Sequence, residues 1–118
     1  MTDLTELAGL LKILSVETRV QIVHLLKGRA LCVNALAARL KVTQGAVSQH
    51  LRLMREAGLV IDEKRGYFVH YRLNEDTLAA WREEIDRLLD PTSEAGTHTK
   101  GASKCAAIKS KAARSRRS

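Results

Sequence analysis

Residues 43 to 60, reading TQGAVSQHLRLMREAGLV, constrain this chain more than any other stretch. Val47, Leu51 and Met54 recur at the spacing of one helical face, and Ala57 closes the last turn. Gln44, Ser48, Gln49, Arg52 and Arg55 fall on the other faces. Thr43 is placed to cap the helix by accepting an orphan backbone N–H, and Gly58 to end it in the left-handed conformation. Serine, glutamine, histidine and arginine gathered on the first turns of a short helix are side chains that hydrogen-bond base edges and phosphates in a major groove. The plain alternative is an amphipathic surface helix, for which a polar outward face is ordinary. The neighbouring segments decide between the two.

Upstream, Leu4, Leu7, Leu10, Leu11 and Leu14 form a wide apolar stripe on an N-terminal helix opened by Thr2 or Asp3. A second helix starts at Ser15 and ends at Gly28. It directs Val16, Val20, Val23 and Leu26 inward, with Ile22 and Leu25 widening the stripe, and leaves Arg19 and Lys27 in water. A third runs from about Val33 to Leu40, with Leu36 and Leu40 inward and Ala37 and Ala38 small enough for close approach by the next helix. Together with the 43–60 stretch it makes a helix-turn-helix. The joint is Lys41-Val42-Thr43, where Val42 plugs the core and Lys41 occupies a position at which glycine would adopt positive φ more easily.

Downstream of Gly58 the pattern becomes extended: Leu59, Val60 and Ile61, then Tyr67, Phe68, Val69, Tyr71 and Leu73. Lys64-Arg65-Gly66 between them predicts a β-hairpin with a basic tip, and the two tyrosines read as sheet residues. A helix from about Glu75 to Leu89 carries Leu78, Trp81, Ile85, Leu88 and Leu89 on one side, and Pro91 marks its end. The expected fold is mainly α with a small β component: a winged helix-turn-helix with flanking helices, in the order α-α-α-α-β-β-α, over residues 1–90.

Charge distribution sharpens this. The 118 residues carry a net charge of +7, which points to a polyanionic partner. Residues 39–73 hold seven basic and three acidic side chains, whereas residues 74–90 hold two and six. Residues 91–118 hold seven and one, with Ile108 the sole sizeable apolar side chain. Such a segment cannot bury a core, so it is expected to be a disordered basic tail, either adding salt-sensitive DNA affinity or serving as a passive extension. No run reaches the length of a membrane span, and the acidic Asp3, Glu6 and Glu17 are unlike a secretion signal, so a cytoplasmic protein is expected. Cys32 and Cys105 are too few and too far apart for a disulfide scaffold or a CxxC metal knuckle, and reduced thiols are expected.

The runs LKILSVETRVQIVHLL, ALCVNALAARLKVTQGAVSQHLRLMREAGLV and GYFVHYRL, spanning Leu11 to Leu73, resemble the ArsR/SmtB family of bacterial winged-helix repressors. The combination of VSQHLRLMREAGLV with a hairpin ending VHYRL is highly specific. The resemblance implies a homodimer joined by its first and last helices, bound to an inverted-repeat operator and released by an inducer. The stripes containing Leu4, Leu7 and Leu11 and containing Leu78, Trp81, Ile85 and Leu88 suit such a dimer interface, or else pack onto their own domain. By position in the motif, Gln44, Ser48, Gln49 and His50 are the expected base readers. Lys41, Thr43, Arg52 and the wing residues Lys64 and Arg65 are the expected phosphate contacts.

Arsenic- and metal-responsive relatives open the third helix with a CVC-type motif supplying two thiolates, sometimes with a third one turn later. Here Cys32 alone is present, with Asn34 and Ala37 in the other two positions. Trivalent arsenic and thiophilic metal ions favour several thiolates, so one sulfur is a poor site. Cys105 folding back onto Cys32 of its own or the partner chain would supply a second thiolate or an oxidisable pair. Otherwise Cys32 is a small hydrophobe. The zinc-type site that other relatives carry on the last helix needs histidine, which this helix lacks. The expected function is thus transcriptional repression through duplex DNA, with arsenite, a thiophilic metal ion or thiol oxidation as inducer. The alternative is a winged-helix protein-interaction module with a basic tail. An enzyme is not expected, since no His/Asp constellation accompanies Cys32.

Overall fold

A computed structural model describes residues 4–92. Among them the elements run α1 (Leu4–Ile13), α2 (Glu17–Leu25), β1 (Leu31–Cys32), α3 (Val33–Leu40), α4 (Gln44–Glu56), β2 (Val60–Arg65), β3 (Phe68–Leu73) and α5 (Glu75–Leu89). This is the winged helix-turn-helix anticipated, with one strand added. Among the described residues two compact units are distinguishable, one running to Trp81 and one starting at Arg82. The basic tail and Cys105 lie outside the described residues.

The core of the first unit is set by α4. Val47, Leu51 and Met54 are fully buried, and they meet Ile22 and Leu26 from α2, Leu36 and Ala37 from α3, and Leu59, Val60, Leu73 and Trp81. Each large apolar side chain removed from water here contributes roughly 1.5–3 kcal/mol. Both ends of α4 are fixed locally. The Thr43 hydroxyl accepts the Ala46 N–H at 3.1 Å. At the other end Gly58 takes φ +80. Leu59 then donates its N–H to the Met54 carbonyl at 2.9 Å, the closure of a Schellman motif.

The turn before α4 is strained in the manner its sequence foretells. Lys41 caps α3 in the left-handed region at φ 59, and the N–H groups of Lys41 and Val42 both reach the Ala37 carbonyl. Val42 does not plug the core: it is 37% exposed, because the left-handed turn swings it outward. Ala38 is exposed as well, leaving Ala37 alone to admit close helix packing.

Around α2 the sequence reading needs three corrections. Ser15 belongs to the exit from α1, where its hydroxyl donates to the Lys12 carbonyl at 2.8 Å, and α2 begins at Glu17 with Val16 at the cap. Val20 is half exposed, so the inward face centres on Ile22 instead. Arg19 is part-buried and hydrogen-bonded, not free in water.

The strand that sequence reading missed, β1, pairs antiparallel with β3, giving the sheet order β1-β3-β2. Two residues leave no alternation to detect. The hairpin turn is Gly66-Tyr67, with Gly66 at φ +63 in the first central position, as a II′ turn requires. Lys64 and Arg65 therefore sit on β2 instead of in the turn, and Tyr67 is a fully exposed turn residue instead of a sheet residue. On α1, Leu7 is buried within the chain while Leu4 and Leu11 are exposed. On α5, Trp81 is buried and Leu78 packs on the core, whereas Leu88 and Leu89 are exposed.

Candidate nucleic-acid interface

Opposite its buried stripe, α4 presents Gln44, Ser48, Gln49 and Arg52 to solvent. Four residues separate Gln44 from Ser48 and Ser48 from Arg52, which stacks these side chains along one edge. The first turn contains no acidic residue. Its partial positive charge is therefore not offset by a carboxylate, and apart from the Ala46 N–H held by Thr43 its first amide groups have no side-chain cap, which suits an anion at that end of the helix. Gly45 in the same turn has open space where a side chain would stand, so a surface can approach the backbone closely.

The exposed cations are held by weak pairs. Arg52 stands 3.7 Å from Glu56, and Arg55 stands 3.2 Å from Asp62 on β2. Pairs this exposed contribute roughly 0–1 kcal/mol, so a phosphate can replace the carboxylate at small cost. Lys41, at the turn into α4, and Lys64, on the wing, are both exposed. Arg65 is exposed too, but its Nη2 rests on Glu63 at 3.0 Å while the Arg72 Nε holds the other carboxylate oxygen at 2.7 Å. The hydrogen bond from Arg72, and then that from Arg65, hold the Glu63 carboxyl below its ordinary pKa.

His50 departs from the expected set. Its Nδ1 accepts a hydrogen bond from Arg19 Nε at 3.1 Å, so the ring is turned toward α2 and away from the exposed edge of Gln44, Ser48 and Gln49. Partial burial, and then the Arg19 charge, lower its pKa. The Thr43 hydroxyl accepts the cap bond of α4, which leaves its O–H free to donate outward. Sequence reading overlooked Arg19 as the residue that fixes His50, because nothing in a local window links positions 19 and 50. It also overlooked the exposed aromatic pair Tyr67 and Phe68 at the tip of the wing.

Cys32 is a free, half-buried thiol at the N-cap of α3 and makes no capping hydrogen bond. It lies directly opposite His70 in the β1–β3 register, and His70 in turn lies opposite Glu63 on β2. The His70 Nδ1 is buried with no hydrogen-bond partner among the described residues. Asn34 is exposed and Ala37 buried, so the two positions that would carry further thiolates point to different environments. Among the described residues, no group of three or more His, Cys, Asp or Glu side chains is arranged to hold a metal ion. Nor is any helix there long and apolar enough to cross a membrane.

Comparison with known proteins places this geometry. Residues 17–62, from α2 into β2, match the family model described as bacterial regulatory protein, arsR family. The arsenical resistance operon repressor of Escherichia coli strain K12 is 47% identical over 77 residues, covering 64% of this chain and 65% of the repressor, just under two thirds of its length. Among solved structures, HlyU from Vibrio cholerae N16961 superimposes with a TM-score of 0.61 at 37% identity, covering 75% of this chain and 98% of that one. An ArsR-like transcriptional regulator from Rhodococcus sp. RHA1 superimposes with a TM-score of 0.65 at 29% identity, covering 90% of this chain and 92% of that one.

Proposed function

Because the chain belongs to the arsR family of bacterial regulatory proteins, DNA-binding transcription regulators that are not enzymes, we propose that it is a homodimeric repressor of a palindromic operator. In this reading α4 enters the major groove with Gln44, Ser48 and Gln49 on base edges. Lys41, Thr43 and Arg52, with Lys64 and Arg65 on the wing, contact phosphates. Exposed Leu4 and Leu11 on α1, and Leu88 and Leu89 on α5, meet a second copy of the chain. A twofold dimer of this kind sets its two recognition helices about one DNA turn apart, ~34 Å.

The observation that carries the reading is the division of α4. Val47, Leu51 and Met54 are at 0% exposure, while the opposite edge is polar, uncharged or cationic through Arg52, and free of acid in its first turn. The test is footprinting on promoter DNA, with sedimentation to determine the oligomeric state. Gln49→Ala costs roughly 1–3 kcal/mol of operator affinity and relaxes specificity at one position, whereas Lys64→Ala weakens all sequences alike and lowers the salt slope by about 1. A strictly monomeric chain that binds no duplex at moderate ionic strength overturns the reading and favours a protein-interaction module.

The inducer in this reading is a thiophilic species, arsenite or a soft metal ion, or an oxidant, acting at Cys32 with Cys105 of the same or the partner chain as the second sulfur. The E. coli relative's name, an arsenical resistance operon repressor, supports the choice of arsenite as the first ligand to try.

A further inference from the structure

The chain has one tryptophan, two tyrosines and one phenylalanine. Trp81 is buried and Tyr71 packs against the core, but the other two stand next to each other in water at the tip of the β2–β3 hairpin. Tyr67 is 100% exposed and Phe68 54%, and the following Val69 is exposed as well. Aromatic side chains carry a large apolar area, and three consecutive exposed apolar residues mark a surface that meets something. From this placement we infer that Tyr67 and Phe68 form an aromatic wedge that enters the minor groove beside α4, opens a base step and bends the operator. The inference rests on the operator-binding reading and adds a sequence preference that the base readers of α4 do not supply.

Charge selects the occupant. Lys64 and Arg65 precede the turn, and residues 64–69 contain no acid. In register, Arg65 lies opposite Phe68 and Lys64 opposite Val69. Side chains alternate along a strand, so each face of the tip carries one cation and one apolar residue. A minor groove is walled on both sides by phosphates, and a tip with a cation on either face meets both walls. Arg65 bonds Glu63 at 3.0 Å, which draws its guanidinium back along the strand and leaves the two rings in front. Cations on phosphate behind an apolar side chain in the stack is the arrangement by which wedges hold DNA.

The hairpin is anchored to the helix it would assist. Leu59 donates its N–H to the Met54 carbonyl at 2.9 Å, Arg55 on α4 reaches Asp62 on β2 at 3.2 Å, and Leu59 and Val60 are buried in the core that α4 defines. From this base β2 extends ~17 Å at about 3.3 Å per residue, and the minor groove lies half a helical repeat, also ~17 Å, from the major groove along the duplex. The Gly66-Tyr67 turn makes the tip two residues wide. A groove about 6 Å across admits a ring on such a tip, not a whole sheet. Wedges act most easily at pyrimidine–purine steps, which unstack and kink with the least resistance.

Other occupants fit less well. β2 is a free edge of the sheet, but Asp62, Glu63, Lys64 and Arg65 along it oppose strand pairing with a second copy. A lipid surface binds in proportion to the apolar area it buries, and two rings and a valine are a small anchor.

The experiment selects duplexes from a random library with the full-length chain and with a double variant, Tyr67→Ser and Phe68→Thr. The enriched duplexes are then labelled at both ends and their bending is read by energy transfer. Serine suits the turn and threonine the strand, and thermal unfolding checks that the fold is retained. The wild type is expected to enrich a pyrimidine–purine step about five base pairs from each major-groove half-site and to bend that duplex by roughly 20–90°. The double variant is expected to enrich the same major-groove bases and to lose the preference at the outlying step. It also loses at least half of the bend and binds the wild-type duplex roughly tenfold more weakly, the order of one lost aromatic–base contact. Identical enriched sequences and equal bends overturn the wedge and leave the repressor reading intact. Uniform weakening on every duplex, with step preference and bend unchanged, also overturns it, because the rings would then only lie on the backbone. Binding to anionic phospholipid vesicles, or self-association, that the double variant loses while its DNA selection and bending match the wild type, overturns it in favour of that partner. If the wild type enriches no duplex, the repressor reading fails and the wedge with it.

Discussion

Arg19 on α2 donates its Nε–H to Nδ1 of His50 on α4 at 3.1 Å, and its Nη1 reaches the Ile13 carbonyl at the end of α1 at 3.4 Å. One guanidinium thus ties the N-terminal helix to the helix that carries the candidate base readers. A hydrogen bond of this class contributes roughly 0.5–1.5 kcal/mol, and its geometric effect is to set how α4 is turned about its axis.

A pH dependence follows from this pair. His50 must be unprotonated at Nδ1 to accept, and partial burial followed by the Arg19 charge lower its folded pKa below the ordinary 6.5. The unfolded chain therefore takes up the proton at higher pH than the folded one. The stability from this group is present above about pH 6.5 and is lost as pH falls from there toward the depressed folded value, with no further loss below it. Thermal unfolding of wild type and His50→Asn across that window checks this, since the asparagine Oδ1 replaces the acceptor without titrating. The variant is expected to show a shallower decline. Parallel curves would mean that His50 does not contribute.

Lys41 separates stability from binding. An L-residue in the left-handed region costs roughly 1–2 kcal/mol relative to glycine, and Lys41 sits at φ 59. Lys41→Gly is therefore expected to raise the denaturation midpoint by an amount equivalent to about 1 kcal/mol, despite the entropy glycine adds to the unfolded chain. If Lys41 contacts phosphate, the same substitution weakens operator binding and flattens its salt dependence. A variant that is more stable and binds DNA as before would remove Lys41 from the interface.

Thr43 makes the complementary case. Its hydroxyl accepts the Ala46 N–H, and loss of such a cap costs about 1 kcal/mol. Thr43→Ala is expected to lower stability by that amount, and Thr43→Ser to restore most of it, by chemical denaturation. An alanine variant as stable as wild type would show that the cap bond is replaced by water without loss.

How far the sequence foretold the structure depends on the range of the signal. The stripe of Val47, Leu51 and Met54 defined α4, and Leu36 with Trp81 defined the inward faces of α3 and α5, because a 3.6-residue period is visible within one helix. The bounds of α3 and α5 agree with the structure to the residue. β1 was invisible because two residues carry no period and their partner lies at Tyr71 and His70. Val42 was assigned inward on hydrophobicity and Val20 as a member of the Val16, Val20, Val23 and Leu26 stripe, whereas backbone direction at the αL turn, and a buried face of α2 centred on Ile22, turn them out. The Arg19–His50 bond joins positions 31 residues apart, which no local window can relate.

Cys32 provides a test in which stability and sensing move independently. It occupies the N-cap of α3 without making a capping bond, at a position where a serine hydroxyl would accept an orphan N–H. Cys32→Ser is therefore expected to stabilise the fold by roughly 0.5–1 kcal/mol, a value at the low end for caps because Cys32 is already half-buried. The same substitution removes the thiolate on which the proposed arsenite response depends. Operator release measured with arsenite on wild type, Cys32→Ser and Cys105→Ser distinguishes the roles: loss in both variants requires two sulfurs, and loss in Cys32→Ser alone assigns the response to a single thiol facing His70 across the β1–β3 register. Release that is identical in all three would leave Cys32 with a purely structural place, and a more stable serine variant would then show that the thiol is not even the best residue for it.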